Sequence, residues 1–211
     1  MADTAVKLFG GTLPTTPTVA YTGKANTTCI LKSIVICNFS SVTNYVSIRL
    51  SGNRYLVGGR PLKPYETLVV PVTDLVINPS ETFEIWSGVN SGFVNARISA
   101  IERDGSPATL GLSPSRVTLN TGITSITTSA SAKRLVKSFV ITNYDGGTRT
   151  VTVRFGASGD ANNLIGNYKI SGYDTVLIPF ADIILTSGEW VEGFADSSSV
   201  VVVHAVTQVV T

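Results

Sequence analysis

In residues 44–50, NYVSIRL, apolar Val46, Ile48 and Leu50 alternate with Ser47 and Arg49, and the pattern returns at 149–155, RTVTVRF. There Val151, Val153 and Phe155 alternate with Thr152 and Arg154. A period of two puts alternate side chains on opposite faces of a β-strand, so both segments read as half-buried strands with Arg49 and Arg154 pointing outward. In the first half of the chain, similar runs predict strands near 17–22, 30–39, 44–50, 67–71, 75–77, 82–86 and 93–101. Turn signals at Ser40-Ser41, Ser51-Gly52-Asn53, Gly58-Gly59, Asn78-Pro79-Ser80 and Ser87-Gly88 separate them. Short strands with turns about every 8–12 residues indicate a sandwich or jelly roll. The run of valines at 200–203 is apolar on both faces, which predicts a strand covered on both sides or lying against another subunit.

The pattern occurs twice. Residues 30–50 align without a gap to 135–155 at an offset of 105, with identities that include Lys32 and Lys137, Asn38 and Asn143, and Arg49 and Arg154. A second block, 65–86, aligns to 173–194 at an offset of 108, so three extra residues fall between the blocks, where 156–167 reads GASGDANNLIGN. Two matching blocks with the insertion confined to a turn-rich segment imply duplication of one unit. Asp145-Gly146-Gly147 reads as a hairpin turn that would make the strands on either side antiparallel neighbours.

The predicted fold is therefore all-β, with two tandem, internally duplicated antiparallel β-sandwich domains of jelly-roll type. The expected division is an extended N-terminal arm at 1–18, a first repeat at 19–103, a Gly/Ser/Pro-rich linker at 104–115 and a second repeat at 116–211. In the arm, Pro14 and Pro17 oppose regular pairing while Leu8, Phe9 and Leu13 are too apolar to dangle, which predicts docking on a partner.

Composition supports this class and narrows the function. The chain of 211 residues holds 26 Val and 26 Thr, both suited to a pleated sheet, and only 14% charged residues, below the roughly 25% usual for soluble domains. A net charge of +2 with no Lys/Arg run beyond Lys133-Arg134 argues against a nucleic-acid partner. No apolar stretch approaches the roughly 18 residues of a membrane span, and the start of the chain lacks a secretory leader, so no membrane partner and synthesis in a cytoplasm are expected.

Candidate chemistry is sparse. His204, the one histidine, sits in VVVVHAV and reads as a packed strand residue, which leaves no Ser-His-Asp triad. Cys29 and Cys37, on one strand, would lie about 26 Å apart, beyond disulfide reach, and read as small buried hydrophobes. Asp74, Glu81 and Glu84 recur as Asp182, Glu189 and Glu192; a glycosidase pair is conceivable, but repetition favours turn and strand devices. Tyr65 and Tyr173 recur as candidate hydroxyl fasteners. Asp160, Asn162 and Asn163 offer oxygens without the spacing of a calcium loop. The reading is a non-enzyme with no catalytic residue, metal or cofactor. Trp86, Trp190, Tyr144 and Phe194 leave a carbohydrate-binding module as an alternative.

Lys7-Leu8 with Gly11-Thr12-Leu13, then Tyr21-Thr22, the strand from Lys32 to Asn38 and the turn from Glu66 to Pro71 together resemble a pattern of accessory virion structural proteins of tailed bacteriophages. The resemblance covers nearly the whole chain, although the second copy lacks the first element and carries Ile126 in place of Tyr21. It implies small β-sandwich modules that decorate heads or build tail and neck parts. The implied function is a capsid decoration or cement protein clamping neighbouring shell subunits, or a tail or neck component. The implied partners are a major capsid protein or tail and neck proteins, with a homo-oligomer expected and the virion as its location. Leu8, Phe9 and Leu13 of the arm, with Asp160, Asn162, Asn163 and Leu164 of the unmatched segment, are the candidate assembly contacts.

Overall fold

The computed structural model describes residues 3–88, 91–156, 158–178 and 182–210. Met1 and Ala2 of the expected arm, Ala157 of the unmatched segment and the terminal Thr211 lie outside the described residues. Nine strands make up the first unit: β1 (Asp3–Thr12), β2 (Thr18–Thr22), β3 (Thr27–Asn38), β4 (Asn44–Leu50), β5 (Arg54–Leu62), β6 (Thr67–Val69), β7 (Leu75–Ile77), β8 (Thr82–Ser87) and β9 (Val94–Asp104). The second repeats them as β10 (Leu112–Leu119), β11 (Thr124–Thr127), β12 (Arg134–Asn143), β13 (Arg149–Phe155), β14 (Asn163–Ile170), β15 (Thr175–Leu177), β16 (Ile183–Leu185), β17 (Val191–Ala195) and β18 (Val201–Val209).

In the first unit one sheet runs β1-β9-β3-β6, with β7 also on β3, and the facing sheet runs β2-β8-β4-β5. The second unit has β10-β18-β12-β15, with β16 also on β12, facing β11-β17-β13-β14. Strand for strand the two orders coincide, and each is a jelly roll of two antiparallel sheets. Between the sheets of the first unit lie Leu31, Ile34, Ile36, Ile48, Leu50 and Phe83, and between those of the second Phe139, Ile141, Val151, Val153, Val191 and Val203, all buried.

The Asp145-Gly146-Gly147 turn is not a hairpin. β12 and β13 belong to different sheets, as do β3 and β4, so the turn carries the chain across the sandwich. A crossing turn loses ladder partners, and an asparagine side chain supplies them. Asn143 Nδ2 donates to the carbonyls of Gly147, Ile170 and Ser171, and Asn38 Nδ2 donates to those of Val42, Leu62 and Lys63. These identical cradles explain why Asn38 and Asn143 survive in both copies.

The arm, too, is part of the fold. β1 pairs with β9 along its length, from Asp3 opposite Arg103 to Thr12 opposite Asn95, with one bulge between Lys7 and Phe9. Leu8 and Leu13 are buried in the first core and Phe9 packs against it. The prolines at 14 and 17 fall in the turn after β1, where they cost no ladder bonds.

The glycines in β5 and β14 predict turns, but both segments are strands. Their backbones match at an offset of 108, so Leu56-Val57-Gly58 corresponds to Leu164-Ile165-Gly166 and the insertion shrinks to the turn before β14. In each, a register break follows the first glycine, opposite Ser47 or Thr152, whose hydroxyl accepts from the N–H of Gly59 or Asn167.

Between the units, β9 ends at Asp104, a single 3-10 turn spans Ala108–Leu110 and Gly111 takes a left-handed conformation (φ 69°) before β10 starts at Leu112. Pro114 and Ser115, expected in the linker, are therefore within β10. The valine-rich β18 faces two ways: Val201, Val203 and Ala205 point into the second core. Val206, facing the other way, packs with Ile30 and Val76 of the first unit.

Candidate functional site

Residues that could carry chemistry are engaged in matched structural pairs. Arg49 Nε donates to Glu84 Oε2 at 2.7 Å, and Arg49 lies 5.2 Å from the centre of the Trp86 ring. In the second copy Arg154 pairs with Glu192 at 3.5 Å and lies 5.2 Å from the centre of the Phe194 ring. Arg49 and Glu84 are direct cross-strand neighbours on β4 and β8, as are Arg154 and Glu192 on β13 and β17, which is how the fold brings each pair together. Lys32 pairs with Asp74, and Lys137 with Asp182 at 2.7 Å; both aspartates sit at positive φ, 49° and 50°. Glu81 Oε2 accepts from Asn78 N at 2.9 Å, and Glu189 Oε2 from Thr186 N at 2.6 Å. The duplicated acids are turn and strand devices. Tyr65 and Tyr173, expected as hydroxyl fasteners, share a left-handed backbone (φ 60° each), and Tyr65 is 70% exposed.

The two units meet along a seam where β5 and β7 of the first lie on the outer face of the β10-β18-β12-β15 sheet. Arg116 on β10 donates to Val76 O and pairs with Glu81 at 2.8 Å. Burial works against the charge on both, raising the Glu81 carboxyl and pulling Arg116 down to about 10, while their mutual attraction opposes each shift. His204 Nε2 donates to Tyr55 O at 3.0 Å. Complete burial, with the Arg116 charge nearby, pulls this imidazole down to about 3, so it is neutral near pH 7 and held as the Nε2–H tautomer. Thr142 and Thr175 hydroxyls both donate to Leu56 O, and Arg60 pairs with Asp174. Val140 joins the apolar cluster of the first unit. The Tyr55 and Tyr144 rings lie 4.9 Å apart. A Cβ at Gly58 would stand 2.2 Å from Tyr144 Cβ, so glycine is required there for close approach. A shallow cleft of about 260 Å³ runs beside the seam, lined by Val57, Arg60, Val69 and Asp174 among others.

Sequence reading missed the seam because β5 was read as a turn. The visible signal was the Leu-Val-Gly and Leu-Ile-Gly match at the second offset.

Among the seven expected contact residues, Leu8 and Leu13 face the core and are not displayed, because β1 is a sheet strand and not a free arm. Asp160 and Asn162 form a 3-10 turn, and Asn163 and Leu164 open β14. Arg154 donates to Asp160 Oδ1 at 2.7 Å and to Asn163 Oδ1 at 3.1 Å, so these oxygens face a guanidinium and not a cation site. Leu164 is half exposed. Among the described residues no group of three or more His, Cys, Asp or Glu side chains is placed to hold a metal ion.

The aromatic residues weighed as a sugar platform fall into two separate groups. Trp86 and Tyr144 flank Tyr55 at 6.2 and 4.9 Å, while in the second unit Phe194 lies under Arg154 and Trp190 Nε1 donates to Glu192. A small group of exposed apolar side chains lies elsewhere, at one end of the first unit. Phe39 and Phe93 meet edge to face at 5.7 Å, and Val42 is also exposed there.

No family model matches the sequence, and no curated protein matches it. Solved structures similar to it include the major capsid protein of bacteriophage PM2 (12% identity, TM-score 0.34, covering 100% of this chain and 98% of that one). The STIV MCP is 12% identical with a TM-score of 0.29, covering 99% and 97%. A fucolectin from the serum of the striped bass Morone saxatilis is 13% identical with a TM-score of 0.26, covering 87% and 79%. Likeness at these scores extends to capsid proteins and a lectin alike and assigns no family. What stands on the chain's own geometry is an all-β pair of duplicated jelly rolls joined by a buried seam.

Proposed function

We propose that the chain is a non-enzymatic structural component of a virion, and within that class a capsid decoration protein that bridges neighbouring shell subunits. The observation that carries a structural role is the duplicated use of reactive side chains. Asp74, Glu81 and Glu84 make the same ion pair or turn bond as Asp182, Glu189 and Glu192 in the other copy, which is how a scaffold is copied and not how a catalytic centre is assembled. The virion assignment rests on the resemblance of the Lys7–Leu13, Lys32–Asn38 and Glu66–Pro71 segments to tailed-phage accessory proteins.

The buried seam refines the clamp. Two units held at one fixed spacing lose little orientational freedom on binding adjacent sites, so modest contacts at each add up. Image reconstruction of particles purified from cells that express a tagged copy tests the proposal. Density repeating with the shell lattice supports decoration, density along the tail axis replaces it with a tail or neck role, and particles lacking the protein overturn the virion reading.

A further inference from the structure

The seam has two halves, and duplication has copied both. β5 docks on the β10-β18-β12-β15 sheet; the counterpart of β5 is β14, and the counterpart of that sheet is β1-β9-β3-β6. Among the described residues neither counterpart is covered in this way: on that sheet only the Ile30 end packs against the other unit, through Val206 and Leu112. Leu56 is fully buried at the seam, while its equivalent Leu164 is 50% exposed. On the receiving sheet Val140, Thr142 and His204 are fully buried, while their equivalents Val35 and Cys37 are only partly covered and Arg97 is exposed. Tyr144 sits on Gly58, while its equivalent Phe39 is 44% exposed.

Gly166 sharpens the correspondence. It matches Gly58, its φ lies outside the left-handed region, and a Cβ built on it would meet nothing within 4 Å. Neither backbone conformation nor an internal neighbour requires glycine there. A glycine inside a strand marks close approach by another group, and at Gly58 that group is the aromatic side chain equivalent to Phe39.

Charge follows the pattern at the position of Arg116, while Arg97 puts a second cation where the seam has the neutral His204. Arg116 stands opposite His204 on β10 and β18, as Gly10 stands opposite Arg97 on β1 and β9. Lys7 folds its side chain over Gly10 and so supplies a cation at that place. Glu189 is the equivalent of Glu81, its partner in the seam.

We propose that a second copy of this chain occupies these surfaces: β14 of one copy lies on the outer face of the β1-β9-β3-β6 sheet of the next, repeating the seam between chains. Such a contact is heterologous, joining two different patches, and generates a ring where the rotation closes and a filament where it does not. It needs only the duplication and is independent of the virion reading.

Sedimentation velocity across micromolar concentrations tests it with Leu164→Arg and Val35→Lys, which damage opposite halves. Wild-type protein is expected to associate and each variant alone to sediment as a monomer. An equimolar mixture should form dimers, because the intact β14 of the V35K chain fits the intact sheet of the L164R chain. A second measurement does not depend on either variant folding well. Leu164→Cys, treated with a short bismaleimide, should link to Cys37 of the next copy and give a ladder on a denaturing gel, lost when Cys37→Ser is added. A monomeric wild type, oligomers that survive both charge variants, a mixture that stays monomeric, or no crosslink dependent on Cys37 each overturns the proposal.

Discussion

Arg116 and Glu81 meet 2.8 Å apart across the seam, from different units and with only 5% and 8% of their side chains exposed. A buried pair of this kind contributes little net stability against an apolar replacement, yet removing one partner strands the other charge. Arg116→Met alone is expected to destabilise the chain by about 3–5 kcal/mol. The double variant with Glu81→Gln, which keeps an acceptor for Asn78 N, should recover most of that loss, and equilibrium urea unfolding of the four proteins of the cycle measures it.

His204 predicts a pH dependence. Its folded value is depressed to about 3 against an unfolded value near 6.5. Below pH 6.5 the unfolded chain binds a proton that the folded chain does not, so the stability from the neutral imidazole is full above 6.5 and lost as pH falls toward 3. The Arg116 and Arg54 charges both oppose its protonation. Between pH 6.5 and 5, before most carboxylates titrate, stability should fall by up to about 1.4 kcal/mol per unit. In His204→Gln, whose amide can still donate to Tyr55 O, the fall in urea midpoint over that interval should disappear, and the raised Glu81 carboxyl acts in the opposite direction.

The asparagine cradles predict matched losses. Asn38→Ala and Asn143→Ala each leave three carbonyls without their shared donor and should each cost about 1–3 kcal/mol. Thermal unfolding of both variants checks this, and a large effect in only one copy would show that the crossing turns are not equivalent.

Because β1 is a sheet strand, deleting residues 1–16 should impair folding and not merely weaken attachment. Leu13→Ala, at 2% exposure, is the milder form and should cost about 2–5 kcal/mol. Chemical denaturation of the variant reads this loss directly.

Gly58→Ala and Gly166→Ala make a contrast. The first drives a methyl group into Tyr144 and should lower the melting temperature by several degrees; the second meets nothing in its own chain and should leave melting of the dilute protein unchanged. Differential scanning calorimetry at low concentration separates them.

Fold class, duplication and most strands of the first unit are legible in the sequence, because strands buried on one face carry a period-two signal and the copies reinforce each other. β1 and β5 are not. Pro14 and Pro17 suggest an unpaired arm, yet they fall after β1, and Gly58-Gly59 looks like punctuation, yet there glycine allows close approach and a bulge within a strand. The Asp-Gly-Gly hairpin fails for a related reason, since turn residues specify a local reversal but not which sheet receives the next strand; Asn143 decides that, through partners 4, 27 and 28 residues away. The paired acids were legible as structure from repetition alone. The seam was not, because it joins residues such as Tyr55 and His204 that are 149 positions apart and have no counterpart pairing within either copy.

The pairing of β1 with β9 also sets the order of events during synthesis. Asp3 leaves the ribosome about 100 residues before its partner Arg103, a wait of roughly 5–20 s at the usual rate of about 5–20 residues per second. Until then Leu8 and the edge of β3 stay open to any passing chain. β1 is thus made well before β9 yet is among the last strands of its unit to find its place, and the nascent unit is most vulnerable to misassociation just before this jelly roll closes.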